Sequence, residues 1–168
     1  MARVRAIDHS AIAIARGRER RENPPPLCFE ERDVLDALRA TASASVDVVY
    51  AHGLYMMLTD DEVDAVAREA FRVLRPGGLH LFAVRSTTDP LCGQGCETAP
   101  DVWVHPPDRE PLHFYRRESL ERLTRAGFLR VAEHLAADLH LWYVCDRRPR
   151  SGPRRPEEKG FSDPSNPC

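Results

Sequence analysis

The sequence predicts an α/β domain, and three observations predict it. Apolar runs of strand length alternate with helix-length segments three times before Arg85. Strands separated by a helix cannot form tight hairpins, so they require crossovers and run parallel. The last two strand segments, Leu129 to Leu135 and Leu139 to Cys145, are separated only by Ala136-Ala137-Asp138. That spacing predicts an antiparallel pair. The expected sheet is mostly parallel with an antiparallel pair at its C-terminal end. Its 168 residues suit one domain, expected over residues 1–146, with 147–168 as a disordered tail.

The elements follow in order. Val4, Ala6 and Ile7 make a short strand ending at Asp8. Ser10 is placed to cap a helix from Ala11 to about Arg21, which Asn23-Pro24-Pro25-Pro26 stops. Leu27-Cys28-Phe29 begins a second strand ending near Asp33, and Val34 to Arg39 reads as a short helix. Val46 to Ala51 is the third strand, β-branched and mostly apolar. The next helix is the best marked. Thr59 and Glu62 have capping-box spacing, and Asp60 and Asp61 suit the positive end of the helix dipole. Val63, Val66, Ala67, Ala70 and Leu74 form its buried stripe, and Pro76-Gly77-Gly78 ends it. Leu79 to Val84 is the fourth strand, Ser86 to Pro111 a long loop, and Glu118 to Ala126 a helix stopped by Gly127.

Composition removes several function classes. The formal charge is −2, from 24 basic and 26 acidic side chains, which argues against a nucleic-acid binder. No stretch approaches the roughly 18 apolar residues of a membrane span, and the N-terminus has no apolar signal segment. Five cysteines without such a segment point to reduced thiols and a cytoplasmic protein. Cys28 and Cys145 lie in apolar runs and read as small core residues. Cys92 and Cys96, with His105 and His113, make a four-ligand set of tolerated but unspecific spacing. No metal is assigned to it. A thiol or metal sensor is the third functional reading.

The strand Val46-Asp47-Val48-Val49-Tyr50-Ala51, the helix after it, and the exit Phe71-Arg72-Val73-Leu74-Arg75-Pro76-Gly77-Gly78-Leu79 resemble the class I S-adenosylmethionine-dependent methyltransferases. Val4 to Ser10 is similar to that fold's second strand, whose terminal acid holds the cofactor ribose. Asp89-Pro90, Gly93-x-Gly95 and His113-Phe114 look like the acceptor-side insert of small-molecule members. The resemblance covers about residues 3–146 and implies a Rossmann-like sheet, S-adenosylmethionine as cofactor and a small-molecule acceptor.

The resemblance implies a cofactor site at Asp8, His9, Asp33, Val34, Ala51 and His52. Open parallel sheets bind ligands at the carboxyl ends of their strands, where Asp8 falls. An ionised carboxylate there is a strong acceptor for ribose hydroxyls. Asp8 and Asp33 are equally suited to capping the helices that follow them. On the acceptor side stand Tyr55, Asp89 and His113. His113 is able to accept a proton, or to rest on loop backbone as a structural histidine. Methyl transfer to a good nucleophile depends mainly on alignment, so no catalytic base is assigned.

One family feature is absent. No strand followed by a glycine-rich loop precedes Val4, and Gly17 lies inside a helix among arginines. The first strand of the family's sheet, which lies beside the Val4 and Val46 strands, is therefore expected to be missing. Three explanations stand: an N-terminally truncated reading, a strand supplied by another chain with self-association through the incomplete sheet, or direct pairing of the Val4 and Val46 strands. The leading functional expectation is methyl transfer, impaired by the truncation. The alternative is an inactive remnant serving as a protein-interaction module.

Overall fold

All four strands expected before Arg85 form, but they divide between two sheets. The computed structural model describes residues 3–19, 27–106 and 110–150. The proline stop at 24–26 and nearly all of the expected tail lie outside the described residues. Strand β1 (Val4–Asp8) leads to helix α1 (Ala11–Glu19), β2 (Leu27–Glu31), α2 (Val34–Arg39) and β3 (Val46–His52). Helix α3 (Asp60–Val73) and β4 (Leu74–Arg85) follow. Three short strands come next, β5 (Cys96–Ala99), β6 (Val102–Val104) and β7 (Leu112–His113). Helix α4 (Glu121–Thr124), β8 (Leu129–Ala136) and β9 (Leu141–Arg147) complete the fold.

Strands β1 and β2 run parallel, with Asp8 opposite Glu31. A four-stranded sheet has the order β3-β4-β9-β8. In it β3 and β4 are parallel, whereas β9 is antiparallel to both β4 and β8. The sheet is mixed rather than mostly parallel. The short turn from β8 to β9 forces that pair antiparallel, and β9 then docks directly beside β4. Strands β1 and β3 are not paired, so direct closure of the gap is not what the chain does. Among the described residues each of these two strands has only one strand partner.

Local chemistry explains the best-formed helix. The Glu62 carboxylate accepts from the Thr59 backbone N–H at 2.8 Å and from its hydroxyl at 2.7 Å, which closes the first turn of α3. Val63, Val66, Ala67, Ala70 and Val73 are its buried stripe. Leu74, expected within that stripe, instead opens β4 in extended backbone while staying buried. Gly77 adopts φ +85°, and a side chain at Gly78 would meet the Arg75 and Asp47 carbonyl oxygens at 2.9 and 3.0 Å. The Pro-Gly-Gly segment is thus a tight entry into β4, joined to its first residues.

Other expectations need correction. The segment 86–111 is not only loop: β5, β6 and β7 form a small antiparallel sheet with it. The helix expected from Glu118 to Ala126 is a single 3-10 turn (Glu118–Leu120) followed by the four-residue α4. Cys28 is exposed because β2 belongs to a two-stranded sheet too small to enclose it. Cys145 is half-buried on the open face of the larger sheet.

The main core lies on one face of the four-stranded sheet. Ala51, Phe82, Val84 and Val144 pack there with Val63, Val66 and Ala67 of α3 and with Leu120 and Leu123. Each large side chain so enclosed contributes about 1.5–3 kcal/mol. Across the sheet, Tyr50, Leu81, Tyr143, Ala132 and His134 line a groove of about 310 Å³. No helix among the described residues is long and apolar enough to cross a membrane.

Candidate functional site

The carboxyl ends of β1, β2, β3 and β4 end in Asp8, Glu31, His52 and Arg85. Asp8 keeps its side chain 46% exposed, while its Oδ1 accepts from the Ser10 N–H at 2.8 Å. The same carboxylate therefore organises the start of α1 and stays open to solvent. The Asp8 carbonyl also accepts from the Arg32 N–H at 3.0 Å, which ties the two strand exits together. His9 is more exposed still, with its Nδ1 4.0 Å from Asp8 Oδ1. In β2, Glu30 is held below the usual carboxylate range by hydrogen bonds from Arg5 and Arg32.

Asp33 caps α2. Its Oδ1 accepts from the Leu35 and Asp36 N–H groups at 2.8 and 3.1 Å, and its backbone is extended. Val34 packs at the edge of the main core. Ala51 is buried, His52 is exposed, and the His52 ring lies 6.5 Å from that of Tyr143. Gly53 turns the chain out of β3 with φ +70° and donates to the Ala83 carbonyl at 3.0 Å. Asp8 and Asp33 thus mark the exits of the two-stranded sheet, and His52 the exit of β3 in the larger one.

The acceptor-side residues fare differently. Tyr55 is fully buried, with its hydroxyl 2.9 Å from His80 Nε2. Turned onto the core, it reaches no substrate in this conformation and acts as a support. Asp89 is also buried: one carboxylate oxygen pairs with Arg85 and the other accepts from the Leu91 N–H at 2.9 Å. Both oxygens are committed to bracing the loop. His113 lies at the end of β7, which packs against the turn Tyr55–Met57. Its ring stacks on Tyr115, with centroids 4.4 Å apart and planes 22° apart, and its Nδ1 is 3.9 Å from Asp60 Oδ1. Burial lowers its pKa, against the opposing pull of Asp60 and Asp101. The ring is therefore neutral at pH 7, with lone-pair capacity.

Several supporting groups carry no signal in the sequence that marks them. The Tyr115 hydroxyl donates to the Tyr55 carbonyl at 3.0 Å, and Trp142 Nε1 donates to the Tyr115 carbonyl at 3.1 Å. Arg122 holds Asp64 through two bonds of 2.8 and 2.9 Å and also pairs with Asp60. These partners are separated by 27 to 62 residues, beyond the reach of any local pattern. His80 faces Asp146 across the β4–β9 pair, and both are fully buried. Burial pushes His80 down to about 3, with Arg130 adding to the effect. Burial raises Asp146 despite its pairing with Arg130. Cys92, Cys96, His105 and His113 do not gather: His105 Nε2 turns to the Leu91 carbonyl at 2.9 Å. Among the described residues no three His, Cys, Asp or Glu side chains come together as metal ligands.

Comparison with known proteins gives this geometry a context. Residues 1–78 match the family profile described as a methyltransferase domain. No curated protein matches the chain. Among solved structures, an S-adenosylmethionine-dependent methyltransferase from Methanosarcina mazei is similar with a TM-score of 0.72 at 12% identity, covering 88% of this chain and 82% of the other. One from Mesorhizobium loti has a TM-score of 0.64 at 19% identity, covering 87% and 80%. The 1,6-didemethyltoxoflavin-N1-methyltransferase of Burkholderia thailandensis, solved with that acceptor and S-adenosylhomocysteine, has a TM-score of 0.62 at 20% identity, covering 88% and 61%.

Proposed function

We propose that this chain is a class I S-adenosylmethionine-dependent methyltransferase, with S-adenosylmethionine as its cofactor, and that it moves the methyl group to a small-molecule acceptor at the carboxyl ends of β1 to β4. One observation carries this reading. Asp8, half exposed at the end of a parallel strand, lies opposite Glu31, two residues before a second acid, Asp33, at the exit of the neighbouring strand. That is where open parallel sheets bind nucleosides. The arrangement fits the cofactor: Asp8 would receive the ribose hydroxyls, with His9 beside it, and Asp33 and Val34 would hold the adenine. Ala51 and His52 would border the donor end, where the small Ala51 leaves room for a ligand to approach the β3 backbone.

When bound, the cofactor would supply a methyl group on a positively charged sulfur; the acceptor lone pair forms the new bond to carbon as the carbon–sulfur bond breaks, with neutral S-adenosylhomocysteine as the leaving group. The chain's residues supply position. Acids at the strand exits complement a cationic donor. His113 stands on the acceptor side, where its neutral ring is able to accept a hydrogen bond or a proton; Asp89 braces the loop beneath. Alignment supplies most of the rate, so no single base is required. The bound acceptor of the Burkholderia enzyme supports a small-molecule substrate here. The setting is the cytoplasm, with reduced thiols.

Titration of the pure protein with S-adenosylhomocysteine tests the reading. Saturable binding is expected, weakened tenfold or more by Asp8→Ala, about 1.4 kcal/mol or greater. No heat and no thermal shift would overturn it. A second reading, a non-catalytic interaction module, is favoured by the edges of β1 and β3 that carry no strand partner among the described residues. Self-association through those edges would appear as a concentration-dependent mass in sedimentation.

A further inference from the structure

We propose that Tyr115 is a positioning residue for the acceptor side: anchored by its hydroxyl on the Tyr55 carbonyl, it fixes the His113 ring beyond the ends of β3 and β4. The proposal rests on the methyltransferase reading for its purpose, but its geometry stands on its own. His113 needs external support, because β7 is two residues long and, among the described residues, pairs only with β6. A strand this short fixes little by itself.

Tyr115 provides that support from three directions. Its backbone N–H donates to the Arg85 carbonyl at 2.7 Å, at the carboxyl end of β4. Its carbonyl accepts from Trp142 Nε1 at 3.1 Å, on β9. Its hydroxyl donates to the Tyr55 carbonyl at 3.0 Å, in the turn that leaves β3. Two strands of the main sheet and the turn that follows β3 thus hold one residue that is only 2% exposed. The Tyr55 turn is itself pinned, through the Tyr55 hydroxyl on buried His80. The free face of the Tyr115 ring then presents His113 in a near-parallel stack.

The groups facing His113 complete the picture. Asp60 comes from the first turn of α3, Asp101 from the turn between β5 and β6, and Arg122 from α4. Asp60 is engaged by Arg122, and Asp101 by a two-bond fork from Arg116 at 2.8 Å. Both acids are partly neutralised by these partners. His113 is therefore placed by its stack rather than locked into an ion pair. A neutral ring in a fixed plane orients an acceptor by hydrogen bond.

The test uses the full chain and needs no acceptor. The imidazole protons of His113 are followed by NMR as pH is varied, with His113→Gln identifying the resonance. In the wild type they should be displaced by the Tyr115 ring and titrate below 6.5, the ordinary histidine value. Tyr115→Phe keeps the ring and removes the anchor. It should move the midpoint toward 6.5 and reduce the ring-current shift, and Tyr115→Leu should abolish that shift. The His52 and His134 resonances should not move, which separates positioning from general loosening. Unchanged His113 signals in Tyr115→Phe, or an undisplaced His113 in the wild type, would overturn the proposal. S-adenosylhomocysteine affinity should stay within twofold in Tyr115→Phe, and a tenfold loss there would also overturn it. A wild type that fails to bind S-adenosylhomocysteine sinks the methyltransferase reading and leaves the NMR outcome to decide the stack.

Discussion

The two faces of the four-stranded sheet are built from the same strands and meet different fates. One face carries Ala51, Phe82, Val84 and Val144 beneath α3 and α4, and these side chains are 7% exposed or less. The other carries Val48 and Tyr50, which are 46% and 63% exposed. Strand β3, Val46-Asp47-Val48-Val49-Tyr50-Ala51-His52, has only one charged residue in its run of seven. Such a run reads as a strand buried on both sides. The comparison teaches that apolar content states what a strand can tolerate, whereas neighbouring elements decide what is covered. It also explains where polar chemistry is costly: His80 and Asp146 lie on the covered face, each with one side-chain atom lacking a partner among the described residues.

The largest expected effect sets one face against the other. Phe82→Ala should cost about 3–5 kcal/mol, since it removes a buried aromatic ring and leaves a cavity. Tyr50→Ala should stay within about 1 kcal/mol, as a substitution on an exposed surface. Urea unfolding of both variants gives the ratio directly. Equal costs would mean that the groove side is covered in solution.

The second effect sharpens the comparison through pH. His80 ionises in the folded state only near 3, but at about 6.5 when unfolded. Between those values the unfolded chain binds a proton that the folded chain refuses. Stability therefore rises with pH across the window, is full above about 6.5, and is lost as pH falls toward 3. Asp146 has the opposite sign: its raised folded pKa makes stability fall as pH rises through and above its ordinary value of 3.8. The histidine contribution is confined to the window between about 3 and 6.5. Between pH 7 and 5 the wild type should lose on the order of 1–2 kcal/mol from this group. The double variant Tyr55→Phe/His80→Leu removes both partners of the buried hydrogen bond together, so neither is left orphaned. Its stability should be flatter over the same range. Parallel curves from the two proteins would break the account.

How much of this was legible follows the same division. Everything set by short-range chemistry could be read: the α2 helix at Val34–Arg39, the Thr59–Glu62 cap, the strand ending at Asp8 and the β8–β9 pair. These depend on neighbours within a few residues. Asp8 and Asp33 were legible as strand-exit acids, and both also make the helix-start bonds that the sequence allowed as the simpler explanation. What depends on distant partners was hidden. Tyr55 is expected on the acceptor side, yet it turns inward because His80, 25 residues away, offers a partner beneath it. Tyr115 carries no local signal, because its three anchors at Tyr55, Arg85 and Trp142 converge only in the folded chain. The segment 86–111 looked like loop because strands of two to four residues leave no periodicity to count.

The smallest expected effect concerns how the covered face is closed. Helix α3 lies over that face, and its first turn depends on Glu62 accepting from both Thr59 groups. Those bonds, that from the Thr59 hydroxyl first, hold the Glu62 carboxyl below its ordinary value. Stability from a depressed acid is present above its unfolded pKa of 4.5 and lost as pH falls through the folded value. Glu62→Gln keeps the shape and removes the charge, so it should cost about 0.5–1 kcal/mol at pH 7. The side chain is exposed, so salt should screen part of that difference. As pH falls through the lowered folded value of Glu62 the variant and the wild type should converge, because both then present a neutral group to Thr59. A difference that persists once the wild-type carboxyl is protonated would assign the loss to side-chain geometry, and the helix dipole would have no part in it.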